Sequence, residues 1–270
     1  MSYEIRPLGV GGILDQGFRL FRDNLGLILI TYSVMCVPPQ ILLTLMTSVL
    51  MPDPAALESM TPEQQMAAMG ANVLPMVGSM LLSLIVFFVF ATVGEGAVCH
   101  AAAHRYLGEP MTTGEAISAG FRRLGPLIWT GMVKTILITI GLMFFIIPGV
   151  YLAFRYALAS QAVVLEGLSG GSALRRSGDL MREGKHIAQI FVIGLIFVVV
   201  SMMVGGVVGT FIEGMAFQLI QVFVSSALSS VFAAIIVVFY FSARCRVEGF
   251  DLKLLAQQLQ AKDDVTDSRY

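Results

Sequence analysis

Charge is scarce in this sequence, and cysteine and histidine are scarcer. Asp, Glu, Lys and Arg make up 13% of 270 residues, about half the share of a soluble domain, while 56% are hydrophobic and mean hydropathy is +0.81. That shortage argues against a soluble globular fold. The three cysteines, Cys36, Cys99 and Cys245, have no CxxC spacing, which argues against a disulfide framework or a zinc knuckle. The net charge of -1 points neither to nucleic acid nor to an acidic substrate. No nucleotide loop is present either: Gly184-Lys185 is followed by His186, no Gly lies five residues before it, and Gly94-Glu95-Gly96 is too short.

What the chain has instead is long apolar runs. Six are long enough to cross the ~30 Å hydrocarbon layer of a bilayer: 25-51, 73-98, 125-147, 149-166, 187-211 and 216-243. These predict an all-α polytopic membrane bundle of six transmembrane helices in three hairpins, forming one domain over 1-270. Pro38-Pro39 is expected to bend the first span, with a re-entrant segment as the alternative, and Pro148-Gly149 to turn the third span into the fourth. The first run is too long for a signal-peptide core, so no cleaved leader is expected.

Charge segregates by loop. Arg6, Arg19 and Arg22 precede the first span; Arg105, Arg122 and Arg123 lie between the second and third; Arg175, Arg176, Arg182 and Lys185 lie between the fourth and fifth. The tail, 244-270, adds Arg244, Arg246, Lys253, Lys262 and Arg269. With six spans, all four segments share one side. The other connections carry Asp53, Glu58, Glu63 and Glu213. Because cytoplasmic loops retain Lys and Arg, both termini are expected in the cytoplasm, with the protein multi-pass in a bacterial inner membrane.

Each basic connection leads into a helical hairpin through an amphipathic stretch: 8-23, then Gly114 to Leu124, then Gly171 to Leu180. Ile13, Leu14, Phe18 and Phe21 recur at helical spacing, which suits a helix in the membrane interface with Arg19, Arg22, Arg122, Arg123, Arg175, Arg176, Arg182 and Lys185 toward anionic lipid phosphates. A solvated connector is the equal alternative.

Several short patterns resemble the bacterial membrane family named after the membrane domain of glycerophosphoryl diester phosphodiesterases. They are Gly12-Ile13-Leu14-Asp15 with Phe18-Arg19-Leu20-Phe21-Arg22, Tyr106-Leu107-Gly108 with Gly114-Glu115-Ala116, and Ile147-Pro148-Gly149 through Arg155. Glu166-Gly167, Ala173-Leu174-Arg175-Arg176-Ser177 and Glu248-Gly249-Phe250-Asp251-Leu252 extend the likeness over nearly the whole chain. The resemblance implies a polytopic helical domain connected with lipids or membrane assembly. It implies no hydrolase activity, since that chemistry belongs to a separate soluble barrel for which this chain has no room.

Candidate chemistry is sparse. His100 and His104 share a helix face, but two imidazoles are not a site, position 101 is Ala rather than Glu, and a third ligand such as His186 would have to arrive by folding. No metal or cofactor is therefore expected. Gly205 and Gly209 form a G-x-x-x-G pair facing a stretch with Ser225, Ser226, Ser229 and Ser230, which reads as packing within the bundle, with homodimerisation as the alternative. Lys134 and Arg155 alone among the basic residues lie inside spans. An intramembrane charge needs a partner, water or a route to the interface, and helical spacing turns both inward toward one elongated polar cavity; otherwise Arg155 snorkels outward and Lys134 bonds nearby carbonyls. No nucleophile, base and acid converge. The expected role is non-enzymatic, organising or binding membrane lipids or a protein partner, with a transporter using Lys134 and Arg155 as the alternative and an embedded enzyme disfavoured.

Overall fold

In a computed structural model the described residues are 3–50, 61–212, 214–252 and 255–256. The acidic Asp53, Glu58 and Glu213, and the tail residues Lys253, Lys262 and Arg269, lie outside them. Among the described residues there are ten helices and no strand. We number them α1 Val10–Asp23, α2 Leu25–Leu50, α3 Pro62–Tyr106, α4 Thr113–Arg122, α5 Leu124–Phe144, α6 Ile146–Arg155, α7 Ala159–Glu166, α8 Gly171–Leu180, α9 Gly184–Phe211 and α10 Gly214–Glu248.

Six segments are long and apolar enough to cross a membrane: Leu25–Met46, Val73–Tyr106, Leu124–Phe144, Ile146–Glu166, Gly184–Phe211 and Gly214–Glu248. The chain is a multi-pass helical membrane bundle. α2 runs unbroken through Pro38 and Pro39, so the first span is a continuous helix rather than a re-entrant segment. α3 reaches past the expected 73-98 at both ends. At its start Thr61 accepts from the Gln64 amide while the Gln64 side chain accepts from Thr61, a reciprocal cap that lets polar residues begin the helix.

The turn between the third and fourth spans is not at Pro148-Gly149. It falls at Phe145, which is extended, and Pro148 sits in the first turn of α6. A proline costs nothing there because the first amides of a helix have no intrahelical acceptor. Gly149 instead permits close approach: a Cβ on Gly141 would lie 2.9 Å from the Gly149 Cα, so the two helices touch backbone to backbone.

The fourth span is broken. Residues 156–158 form a turn between α6 and α7, and Ser177 of α8 bridges the gap, its hydroxyl donating to the Arg155 carbonyl (2.8 Å) and accepting from the Leu158 amide (3.1 Å). One side chain thus satisfies a donor and an acceptor that the break would leave unpaired inside the protein.

α10 is the axis. From Ala233 to Ala243 every residue is buried, and a helix apolar on all sides belongs at the centre of a bundle. α2 and α3 pack against it and each other, the α5–α6 hairpin joins through α3 and α7, and α9 rests on α10 and more lightly on α6 and α1. The three short amphipathic helices fill the end of the bundle where the basic loops lie. α1 lies so close to α10 that a Cβ on Gly17 would come within 2.8 Å of the Ile235 Cα. Ile13, Leu20 and Phe21 of α1 are buried in protein, whereas Phe18 stays exposed; α8 likewise buries Ala173, Leu174 and Leu180. The segment before α1 is tied in as well: the Leu8 amide donates to the Ser242 hydroxyl (2.8 Å), and the Leu8 carbonyl accepts from Gln189 and Arg246 (3.2 Å each).

Candidate functional site: a charged cavity among the spans

Lys134 lies ten residues into α5, a helix of 21 residues, so its Cα is about 15 Å along the helix axis, near the middle of the span. Its side chain lines a cavity of about 450 Å³ to which α2, α3, α5, α6, α7, α9 and α10 all contribute. Glu95 of α3 lines the same cavity. In the expected second span, 73-98, Glu95 would stand close to the end. α3 continues to Tyr106, which carries Glu95 about 16 Å inward from the end of the helix.

Neither Lys134 nor Glu95 has an ion-pair partner within 4.0 Å among the described residues. Insertion scales put a Lys or Asp at a helix centre at ~2.5–3.5 kcal/mol, so both charges need a polar environment. The cavity supplies part of one. Tyr32 and Ser229 line it with hydroxyls, and Gln161 adds an amide. Gln161 is 2% exposed, and its Oε1 has no hydrogen-bond partner. An unmet buried acceptor of that kind costs about 1–3 kcal/mol. The remaining walls are apolar, with Phe154 from α6 and Phe197 from α9, the latter against Phe232 of α10 at 4.4 Å. A mostly apolar cleft holding a few convergent polar groups is the usual form of a small-molecule site.

Arg155 is not in this cavity. It is exposed, its Nη1 donating to the Tyr151 hydroxyl (3.3 Å), and it lies beside Gly178 of α8. The expectation that helical spacing turns Arg155 inward assumed a continuous helix through the fourth span. The break at 156–158 resets the helical phase, so Ala159 and Ala162 turn inward while Arg155 turns out.

A second polar cluster sits where α7, α8 and α10 meet. Arg176 donates from Nε and Nη2 to the two Glu166 carboxylate oxygens (2.7 and 2.9 Å) and from Nη1 to Glu248. The Tyr240 hydroxyl also donates to Glu166, and Arg244 pairs with Glu248 (3.3 Å) while lying 4.3 Å from the centre of the Phe250 ring. Its hydrogen bond to Glu248 above all raises the Arg176 pKa above the ordinary arginine value. Two arginines, two glutamates and a tyrosine thus neutralise one another, with the Arg176 and Glu166 side chains only about a fifth exposed. Arg176 is therefore a structural ion-pair partner and is not free for lipid headgroups.

The other residues expected toward lipid phosphates, Arg19, Arg22, Arg122, Arg123, Arg175, Arg182 and Lys185, are exposed. Arg19 pairs with Asp15 at 2.9 Å, and Arg22 lies 3.4 Å from Asp23. The histidines do not converge: His100 and His104 stack edge to face, His104 pairs with Glu109, and His186 is buried with its Nδ1 2.7 Å from the Leu180 carbonyl. Among the described residues no three His, Cys, Asp or Glu side chains form a group that could hold a metal ion. The glycine pair of the fifth span faces Gln221 and Phe217 rather than the serine stretch, since a Cβ on Gly205 would meet Gln221 and one on Gly209 would meet Phe217, each at 3.4 Å.

Glu95 was missed as a partner of Lys134. The signal was present, an acid in an apolar run between two glycines, but its depth depended on where α3 ends. Residues 111–246 match a protein family described as a domain of unknown function, DUF7847. No curated protein and no solved structure matches the chain.

Proposed function

The chain belongs to the DUF7847 family, a domain of unknown function, and from that premise we propose that it is a non-enzymatic membrane protein that binds a small polar or amphiphilic membrane component in the cavity among its spans. The observation that carries this reading is that Glu95 and Lys134 both line one intramembrane cavity of about 450 Å³ without pairing to each other. A protein that only filled the membrane would gain from replacing both by apolar residues. Retaining two charges at such depth is explained by a ligand that meets them.

Transport is the second reading. It is favoured by the loose seat of α9, which packs mainly on α10 and walls the cavity through Gly194 and Phe197, so a modest shift of one helix would change access. The resemblance of several short patterns to the phosphodiesterase membrane-domain family adds a connection with lipids to the proposal, without hydrolase chemistry. The location proposed is a bacterial inner membrane, with the basic connections and both termini in the cytoplasm.

The test of binding is native mass spectrometry of the full chain released from gentle detergent. A retained small molecule or lipid, lost in Lys134→Met with the fold intact by circular dichroism, is the expected result. A wild-type protein that emerges bare in every detergent overturns the proposal. Orientation is tested separately, with single cysteines introduced by Gln64→Cys and Ser172→Cys after Cys36, Cys99 and Cys245 are replaced. Both positions are exposed. An impermeant thiol reagent on intact cells should label position 64 and spare 172, and the reverse pattern refutes the orientation.

A further inference from the structure

The charges of the cavity identify what kind of ligand it takes, if the binding reading above holds. Glu95 stands on α3 and Lys134 on α5, each fixed by its own helix, and they stay farther than 4.0 Å apart while lining the same space. Between the two helices the contacts are set by small residues: a Cβ on Gly96, next to Glu95, would meet Leu127 of α5 at 2.7 Å, and one on Gly131 would meet Phe88 of α3 at 3.0 Å. The spacing of the two helices that carry these charges is therefore set by close packing.

We propose that the cavity is a zwitterion site, in which Lys134 takes the anionic group and Glu95 the cationic group of one ligand carrying a phosphate or carboxylate and an ammonium a few bonds apart. A purely anionic ligand would satisfy Lys134 but meet repulsion from Glu95, and a purely cationic one would do the reverse. A neutral ligand would leave both charges unmet. Only a ligand with both charges neutralises the two groups together, and in a site walled by Phe154 and Phe197 the low polarity magnifies that discrimination. Two sources share this chemistry: the headgroup of a zwitterionic phospholipid and a water-soluble amino acid.

The experiment uses the full chain in nanodiscs that contain equal amounts of phosphatidylethanolamine and phosphatidylglycerol, followed by native mass spectrometry of the retained lipid, with a parallel titration of free glycine into the detergent-solubilised protein. The wild type should favour the zwitterionic over the anionic probe at least tenfold. Glu95→Gln should shift retention toward phosphatidylglycerol, and Lys134→Met should abolish phosphate-dependent retention. Glu95→Lys with Lys134→Glu, which reverses the site, should restore preference for the zwitterion. Glu95→Asp and Lys134→Arg keep both charges and should retain the wild-type preference, which separates loss of charge from loss of fold. Glycine bound with the same charge dependence, while phosphatidylethanolamine is ignored, supports the site chemistry and assigns the soluble source. Retention of phosphatidylglycerol alone by the wild type, or a preference that neither Glu95→Gln nor Lys134→Met changes, overturns the zwitterion site and leaves the binding proposal standing. A wild type that retains no probe and no copurified molecule overturns both.

Discussion

At the end of the bundle that carries the basic connections, α10 is buried on every face from Ala233 to Ala243, whereas Met215, Ile220 and Phe223 near its start are exposed. α9 repeats the contrast: His186, Gln189, Ile190 and Ile193 are buried, but Met202, Met203 and Phe211 are open. In α3, Ala97, Val98 and Ala101 are enclosed, while Leu74, Met80 and Leu84 are not. Six spans alone do not fill the space between them. At the basic end α1, α4 and α8 are wedged in, and with them come buried hydrogen bonds such as Tyr106 to Gln16 and Leu158 to Ser177, and the Arg176 cluster; toward the other end the described helices present apolar side chains to lipid. Lipid tails are as apolar as the side chains, so the exposed end gains little from helix contact, and cohesion must come from close packing and polar links. The physical expectation is a molecule whose stability is concentrated at one end.

That asymmetry can be broken most severely at Arg176. Arg176→Met leaves Glu166 and Glu248 sharing only Arg244, and breaking a buried ion pair by removing one partner should cost about 3 kcal/mol. Its neighbour Arg175 is exposed, and Arg175→Met should change stability by less than about 0.5 kcal/mol. Unfolding midpoints in one detergent would compare them directly. Equal effects at the two positions would mean that the cluster holds nothing together.

Ser177→Ala comes next. It removes the hydroxyl that serves both the Arg155 carbonyl and the buried Leu158 amide, and a stranded backbone donor of that kind costs about 2 kcal/mol. Hydrogen exchange should show faster exchange at the 156–158 turn than in the wild type. Unaltered protection there would show that the break needs no stitch from α8.

Two glycine substitutions compare the ends directly. At Gly17 an added Cβ falls 2.6 Å from the Ile235 Cγ1 and 2.8 Å from its Cα, and backbone cannot step aside, so Gly17→Ala should destabilise by about 1.5 kcal/mol. At Gly205 the nearest atom is the flexible amide end of Gln221 at 3.4 Å, an ordinary contact. Gly205→Ala should be neutral or gain about 0.5 kcal/mol from helix propensity. Thermal midpoints that move together would remove the distinction between the two ends.

How far the sequence revealed this arrangement follows the same division. The spans were legible because crossing lipid demands an apolar run whatever the neighbours are: α9 and α10 begin and end within a few residues of 187-211 and 216-243. The packed end was not legible. Arg176 and Arg175 are adjacent and chemically identical, and only Glu166 and Glu248, distant in sequence, distinguish them. The break after Arg155 has no proline or glycine to announce it, since its backbone partners come from Ser177. Lys134 could be picked out as a charge within a span, but that Glu95 lines the same cavity depended on α3 extending to Tyr106.

The smallest expected effect asks whether burial, rather than the basic end as such, sets the size of a contribution. Glu115 lies at that end but is fully exposed, at the start of α4, where its carboxylate accepts from the Thr112 hydroxyl and amide (2.8 Å each) and the Thr112 hydroxyl accepts from the Glu115 amide. Those hydrogen bonds to Thr112, the hydroxyl first, hold its pKa below the usual carboxylate value. A carboxyl whose pKa is depressed by folding stabilises the folded state above its unfolded pKa, and that contribution disappears as pH falls through the lower, folded value. Glu115→Gln keeps an acceptor for the cap but removes the charge and its attraction to the helix N-terminus. The thermal midpoint of the wild type should therefore exceed that of Glu115→Gln slightly at neutral pH, by much less than the Arg176 effect, and the two should converge as the medium is acidified below the ordinary range of a glutamate. A gap that widened on acidification would reverse the sign of the linkage. One as large at neutral pH as that of Arg176→Met would show that location at the basic end, and not enclosure, governs stability.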